Sequence, residues 1–173
     1  MLPDYSKQTL KGTDKSTKLS FILTLYAASV IAWDALQNAW ESAVAAGKLT
    51  TALPIVQGVV GTPYNTIECK SGSVSFSVAP GEAPADGVAT ISGVIDGVAE
   101  DQLKTVYALQ GEEVVAIVTR CADGKKFVFA NPCTGGVTFQ YQTIGALDGG
   151  EAGISFNLTG KDCPVPVLVY EPN

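Results

Sequence analysis

From Lys18 to Tyr26 the chain alternates, with Leu19, Phe21, Leu23 and Leu25 on one side and Ser20, Ile22, Thr24 and Tyr26 on the other. Alternation at period two predicts a strand. The period then lengthens: Ala28, Ile31, Ala32, Ala35, Leu36, Ala39, Trp40, Ala43 and Val44 recur at three and four. This predicts an amphipathic helix of roughly four turns, beginning between Ser29 and Asp34 and closing at Gly47. Trp33 and Trp40 share one of its faces, where aromatic rings serve packing. The apolar run Leu53 to Val60 contains Pro54, which confines it to a strand start or an edge.

Alternation returns in Thr66 to Lys70 and Ser73 to Ala79, where Val74, Phe76 and Val78 face one way. Pro80 to Gly87 is too rich in Pro and Gly for regular structure and reads as an exposed loop. Val88 to Asp96 is a further strand. A short helix over Ala99 to Gln110 follows, with Leu103, Val106, Tyr107 and Gln110 as its expected buried stripe and Gly111 as its stop. Glu100 and Asp101 suit the positive end of its dipole. Glu113 to Arg120 and Lys126 to Ala130 flank Asp123-Gly124, a hairpin turn signal. Val137 to Thr143 sets Val137, Phe139, Tyr141 and Thr143 against Thr138, Gln140 and Gln142. Gly153 to Thr159 sets Ile154, Phe156 and Leu158 against Ser155, Asn157 and Thr159, and Val165 to Tyr170 closes the chain as a strand.

Eight or nine strands, one long helix and one short one are expected. The fold class is therefore α+β, mainly β: an antiparallel β-sandwich or half-barrel with a flanking helix. Residues 1–17 form a polar N-terminal arm carrying Lys7, Lys11 and Lys15; residues 18–173 form one domain. No window reaches the ~20 apolar residues that span a bilayer, and no secretion signal is visible. A soluble chain made in a cytoplasm, without membrane association, is expected.

Composition narrows the function. Hydrophobic residues reach 46% of the 173, while charged residues are only 16%, against about 25% in ordinary domains. Such a balance suits a protein that covers much of its surface with partners. The net charge of −6 opposes binding nucleic acid through phosphates. Histidine is absent, which removes the commonest general base and metal ligand. No phosphate-binding loop, dinucleotide fingerprint or nucleophile elbow occurs. The neighbours Glu112 and Glu113 point to opposite faces of a strand and do not converge. Cys69, Cys121, Cys133 and Cys163 lack the paired spacing of a zinc site, so they are read as small buried residues with free thiols. Asn157-Leu158-Thr159 matches a glycosylation acceptor only by chance. Lys125 and Lys126 beside Arg120 form the one basic cluster outside the arm, suited to acids of a neighbouring subunit or to solvent. No catalytic residue, cofactor or metal is expected, and the chain is not read as an enzyme.

Three stretches of the second half carry a resemblance. They are Glu112 to Arg120 (EEVVAIVTR), Lys126 to Pro132 (KFVFANP) with Gly135-Gly136, and Gly149 to Gly160 (GGEAGISFNLTG) with Pro164 and a closing strand. Together they resemble the tail-tube family of tailed bacteriophages; the first half, with its early helix, matches less. The resemblance implies a β-sandwich with a flanking helix, six copies to a ring. Rings stack into a channel, and inner sheets join edge to edge around a lumen that genomic DNA crosses as transient cargo. It implies a structural protein of the virion tail, in tube or hub, with other phage tail or neck proteins as partners. The alternatives are another particle protein (neck or head decoration) and a β-sandwich adhesin or binding module. Polar positions such as Thr138, Gln140 and Gln142 suit a water-filled lumen. Asp86, Glu112, Asp148 and Glu151 are candidate lumen acids that would repel phosphates. The loop Pro80, Gly81, Glu82, Pro84 and Gly87 is the candidate contact between subunits.

Overall fold

The computed structural model describes residues 21–59, 64–70, 73–79, 87–132, 135–146, 152–161, 163 and 165–173. Among them are strands β1 (Phe21–Ala27), β2 (Lys48–Leu49), β3 (Tyr64–Glu68), β4 (Ser75–Ala79), β5 (Val88–Asp96), β6 (Glu113–Arg120), β7 (Lys126–Phe129), β8 (Val137–Ala146), β9 (Ala152–Gly160) and β10 (Val167–Tyr170). Helices α1 (Trp33–Ala43) and α2 (Glu100–Leu109) complete the set. The fold is α+β and mainly β, with one curled sheet ordered β2-β10-β7-β6-β8-β9-β5-β4. Strand β1 lies along the other side of β6 and carries β3 outside it. Where β3 ends, Cys69 bridges to Ile95 and the Lys70 N–H donates to the Val94 carbonyl at 2.8 Å, so the sheet curls back on itself. All ladders are antiparallel except β10 with β2, a parallel pair that the sequence pattern did not suggest.

Two cores result. The inner one joins Leu23, Leu25, Ile67, Ile91, Ile95, Phe129, Phe139, Ile154, Phe156 and Leu158 to Val106 and Leu109 of α2. The outer one joins Leu36 and Trp40 of α1 to Val115, Ile117, Val128, Leu168 and Tyr170 on the back of the sheet. Strand β6 serves both, so Val114 to Val118 are all buried. Inside, Phe139 and Phe156 stack at 5.3 Å between ring centroids. A Cβ at Gly93 would stand 2.9 Å from Phe156 Cζ, so only glycine lets that ring lie against β5.

Several sequence expectations change. The first helix starts at Trp33, within the expected span, but has three turns in place of about four, with 3-10 turns over Ala28–Val30 and Val44–Ala46. Gly47 ends the second of these turns at φ 72°, in the left-handed region glycine favours. The two helices are nearly equal, 11 and 10 residues. Leu53 to Val60 forms no strand among its described residues; Pro54 leaves only Ile55 bridging to Ile31. Strand β3 starts at Tyr64, before the expected Thr66, and the final strand starts at Val167. Helix α2 buries Gln102, Thr105, Val106 and Leu109, whereas Tyr107 is 57% exposed and lies edge-on to Tyr141. Gln102 is drawn inward because it caps the helix. Its Oε1 accepts from the Ala99 N–H (2.7 Å) and its Nε2 donates to the Asp96 carbonyl (2.6 Å). A bulge between Tyr141 and Thr143 reverses the phase of β8, so Ile144 rather than Thr143 continues the core side. Cys69 and Cys163 are buried, but Cys121 is exposed because it opens the β6–β7 turn; Cys133 lies outside the described residues. Val78, at the edge strand β4, is 41% exposed. Of the Pro80 to Gly87 loop, Gly87 is buried ahead of β5; Pro80, Gly81, Glu82 and Pro84 lie outside the described residues.

Trp40 is 4% exposed, and its Nε1 donates to the Val165 carbonyl at 2.8 Å. Trp40→Ala should therefore cost about 3–5 kcal/mol, read by denaturant unfolding; an unchanged midpoint would mean α1 is not docked. Burial pushes the Cys69 thiol from an ordinary 9.0 up to about 12. Below pH 9 the thiol is neutral folded and unfolded alike. Above it the unfolded chain ionises first, so this contribution falls as pH rises from 9 towards 12. Stability should decline more gently over that range in Cys69→Ala than in the parent; parallel profiles would contradict the raised value.

Candidate functional site: an uncharged polar sheet face

On β8, β9, β5 and β4 the apolar side chains enter the inner core, so the alternate positions share the opposite face. The pairing registers align these outer positions into rungs. Thr138, Thr159, Thr90 and Ser77 form the first, and Gln140, Asn157, Ser92 and Ser75 the second. Thr143, Ser155 and Val94 form the third. Ser155 Oγ accepts from the Thr143 N–H at 3.1 Å, and Ser73 Oγ accepts from the Val94 N–H at 3.2 Å. Every position of these three rungs except Val94 carries a hydroxyl or an amide; beyond the first rung the face continues into the apolar pair Val88–Ala79, and beyond the third into Gly153 and the buried Asp96. No position of the three rungs carries charge, and all are half-buried or exposed. Neighbouring rungs lie about 7 Å apart along the strands and neighbouring strands about 4.8 Å apart. The result is a regular hydrogen-bonding lattice with no ionic group in it.

Among the described residues this face is bounded by open strand edges. Among the described residues β4 pairs only with β5. At β8 the connection from α2 to β6 covers the first residues. Phe139 exchanges backbone bonds with Gly111 and Glu112, and the Tyr141 N–H donates to Gln110 Oε1 at 2.9 Å. Beyond Tyr141, β8 pairs only with β9. Neither β4 nor β8 carries a charged residue, although charge is the usual guard on an edge.

Of the four candidate lumen acids, Glu112 is exposed on the α2–β6 connection, beside the face and in none of its rungs. Asp86, Asp148 and Glu151 lie outside the described residues. Thr138 and Gln140 stand in the rungs as the alternation suggested, and Gln142 is exposed at the bulge. Thr90, Ser92, Ser75 and Ser77 complete the face. Their alternation was visible in the sequence; their neighbourhood depends on the order β8-β9-β5-β4, which no local pattern encodes.

Among the described residues no acid–base or ligand constellation converges elsewhere. No group of three or more Cys, Asp or Glu that could hold a metal lies among the described residues. None of their helices is long and apolar enough to cross a membrane. An open groove of about 400 Å³ beside α1 and β2 is lined by Asn38, Ser42, Lys48 and Thr50, but Lys48 is paired with Glu171 at 3.4 Å. Comparison with protein-family models, with curated proteins and with solved structures finds no match to this chain.

Within the second rung, Asn157 Oδ1 is buried without a hydrogen-bond partner, a costly state for an acceptor. Asn157→Thr removes that acceptor and adds a β-branched side chain suited to a strand. The isolated subunit should gain up to about 1 kcal/mol, read by denaturant melts. A loss of similar size would show that Oδ1 is satisfied.

Proposed function

We propose that this chain is a structural virion protein of a tailed phage, assembling six to a ring into the tail tube or tail hub channel through which genomic DNA passes. The observation that carries the reading is the uncharged polar face on four strands between two unguarded edges. An edge with free backbone groups and no charge is a template for another strand. A heterologous contact of β4 with the outer part of β8 in the next copy closes into a ring when the rotation is right.

The dimensions support it. Six copies of four strands give a barrel of about 24 strands. At ~4.8 Å per strand and a tilt of ~40°, its backbone circle is about 48 Å across, leaving roughly 35 Å between side chains. That opening admits a DNA duplex. The wall chemistry suits passage, since phosphates are captured by Lys and Arg and the rungs hold neither. Hydroxyls and amides keep the wall wetted, and DNA slides over bound water. Low overall charge and the resemblance to tail-tube proteins in the second half point the same way. The further partners are neighbouring tail or neck proteins.

Negative-stain microscopy and size-exclusion chromatography of the concentrated protein test this. Rings or tubes with a central hole are expected; a monomer at every concentration would favour a binding module. Assembled rings should retain little duplex DNA in low salt. Thr90→Lys with Ser92→Lys should leave rings intact and raise DNA retention severalfold. Strong retention by the unmodified rings, or none by the lysine variant, would remove this face from the lumen.

A further inference from the structure

Charge outside the polar face is distributed unevenly along β6. Among the described residues, Lys48, Lys70, Lys104 and Arg120 are in ion pairs. Lys125, Lys126 and Lys161 are in none, and two of these three stand together on the β6–β7 turn. That turn is exposed from Cys121 to Lys126. At the opposite end of the same strand Glu112 and Glu113 are exposed, also without an ion pair. Lys126 pairs in register with Thr119, six residues from Glu113, so the two ends are about 20 Å apart. The strand between them is buried on both faces, and their relative placement is fixed.

The cationic end is also organised. Arg120 Nε donates to Asp123 Oδ1 at 2.9 Å, and the Lys125 N–H donates to the same oxygen at 3.1 Å. Gly124 N–H donates to the Arg120 carbonyl and Arg120 N–H to the Lys125 carbonyl, each at 2.8 Å. Arg120 holds the Asp123 carboxyl well below the usual carboxylate range, so that acid is committed to the turn. Lys125 Nζ lies 5.6 Å from the centre of the Phe127 ring. Glu68 is the other acid at this end, near Cys121. The turn thus presents two lysines from a braced loop, which lowers the ordering cost of a contact.

We propose that the Lys125–Lys126 turn of one copy docks end-on against the Glu112–Glu113 end of β6 in a second copy. It rests on the ring reading, which makes the partner another copy of this chain and supplies the rings that the contact stacks. Opposite charges at opposite ends of one rigid strand complement each other under translation along it. A heterologous contact of that kind repeats without closing and builds a column. Exposed pairs each contribute little, so these set the polarity and register of stacking and make it sensitive to salt.

The test uses the full chain, with sedimentation velocity and negative stain over a salt series. Stacks of rings should shorten as salt rises while the rings persist. Lys125→Glu with Lys126→Glu should raise the concentration needed for stacking by on the order of tenfold and leave ring diameter unchanged. Lys125→Gln with Lys126→Gln should act in the same direction and less strongly. Adding Glu112→Lys and Glu113→Lys to the reversed turn should restore stacking, and unchanged thermal melts confirm that each variant folds. Stacking indifferent to salt and to these substitutions, or no restoration by the double reversal in a folded variant, overturns the end-on contact and leaves the ring reading standing. A chain that stays monomeric in all conditions overturns the ring reading, and the contact with it.

Discussion

Five consecutive side chains of β6, Val114 to Val118, are buried because they point by turns into two different cores. Val114, Ala116 and Val118 enter the curled interior, while Val115 and Ile117 meet α1. Both edges of the strand are used as well, one by β1 and the other by β7 and β8 in succession. A strand without a solvent face must be apolar throughout. The run Val114-Val-Ala-Ile-Val118 meets that demand, with Ala116 small enough for a crowded centre. Every other element is placed relative to this one. Helix α1 can dock only where β6, β7 and β10 offer Val115, Ile117, Val128 and Leu168. The β8–β9–β5–β4 part of the sheet leaves β6 through two paired residues, Glu113 and Val114, and curls over the interior from there.

That narrow junction explains why one half of the sheet is covered and the other is not. The single amphipathic helix of the first half is taken up by the β6–β7–β10 side, and α2 supplies Val106 and Leu109 to the interior. Among the described residues nothing covers the outer face of β8, β9, β5 and β4. An uncovered face must be polar, and a charged, mixed surface is the usual solution for a lone domain. Here the solution is Ser, Thr, Asn and Gln, wettable but without ionic groups. Such a face tolerates water and carries no fixed charge.

Much of this was legible in the chain because period two survives wherever a strand has one buried face. Strand β5 was read at its true ends, Val88 and Asp96, and β9 to within a residue. The Asp123-Gly124 turn and the Gly47 stop followed from backbone conformations that those residues favour. The failures share one cause, non-local pairing. Lys48 and Leu49 are too few to show a pattern and are held only by β10, more than a hundred residues later. Tyr107 was assigned to a buried stripe by its helical spacing, but Gln102 turned inward to cap the helix and Tyr107 was left outside against Tyr141. The bulge in β8 inverted the last part of an alternation that continued on paper. For the same reason the polar face was legible strand by strand but not as a surface.

The distribution of charge gives these features a common logic. Strands β4, β8 and β9 contain no charged residue, and β5 has only Asp96, at its last position and paired with Lys70. Among the described residues the exposed charges lie instead on α1 and α2 (Asp34, Glu41, Glu100, Asp101 and Lys104), at the two ends of β6 (Glu112, Glu113, Asp123, Lys125 and Lys126), on β2 (Lys48) and just past β9 and β10 (Lys161 and Glu171). A charged side chain on an open edge must be desolvated or repelled before another strand can pair there, which is how free-standing sheets protect themselves. Removing that protection from a sheet of this size invites aggregation unless the geometry limits what can add. Here β4 is only five residues long, and the open part of β8 begins only after the α2 connection and the bulge have bent it. A short edge and a twisted one fit each other in few registers. With no charge on β4, β8 or β9, the proposed lateral pairing and the proposed end-on contact would respond to different conditions: backbone hydrogen bonds at the edges are little affected by salt, whereas exposed charges at the ends of β6 are screened by it.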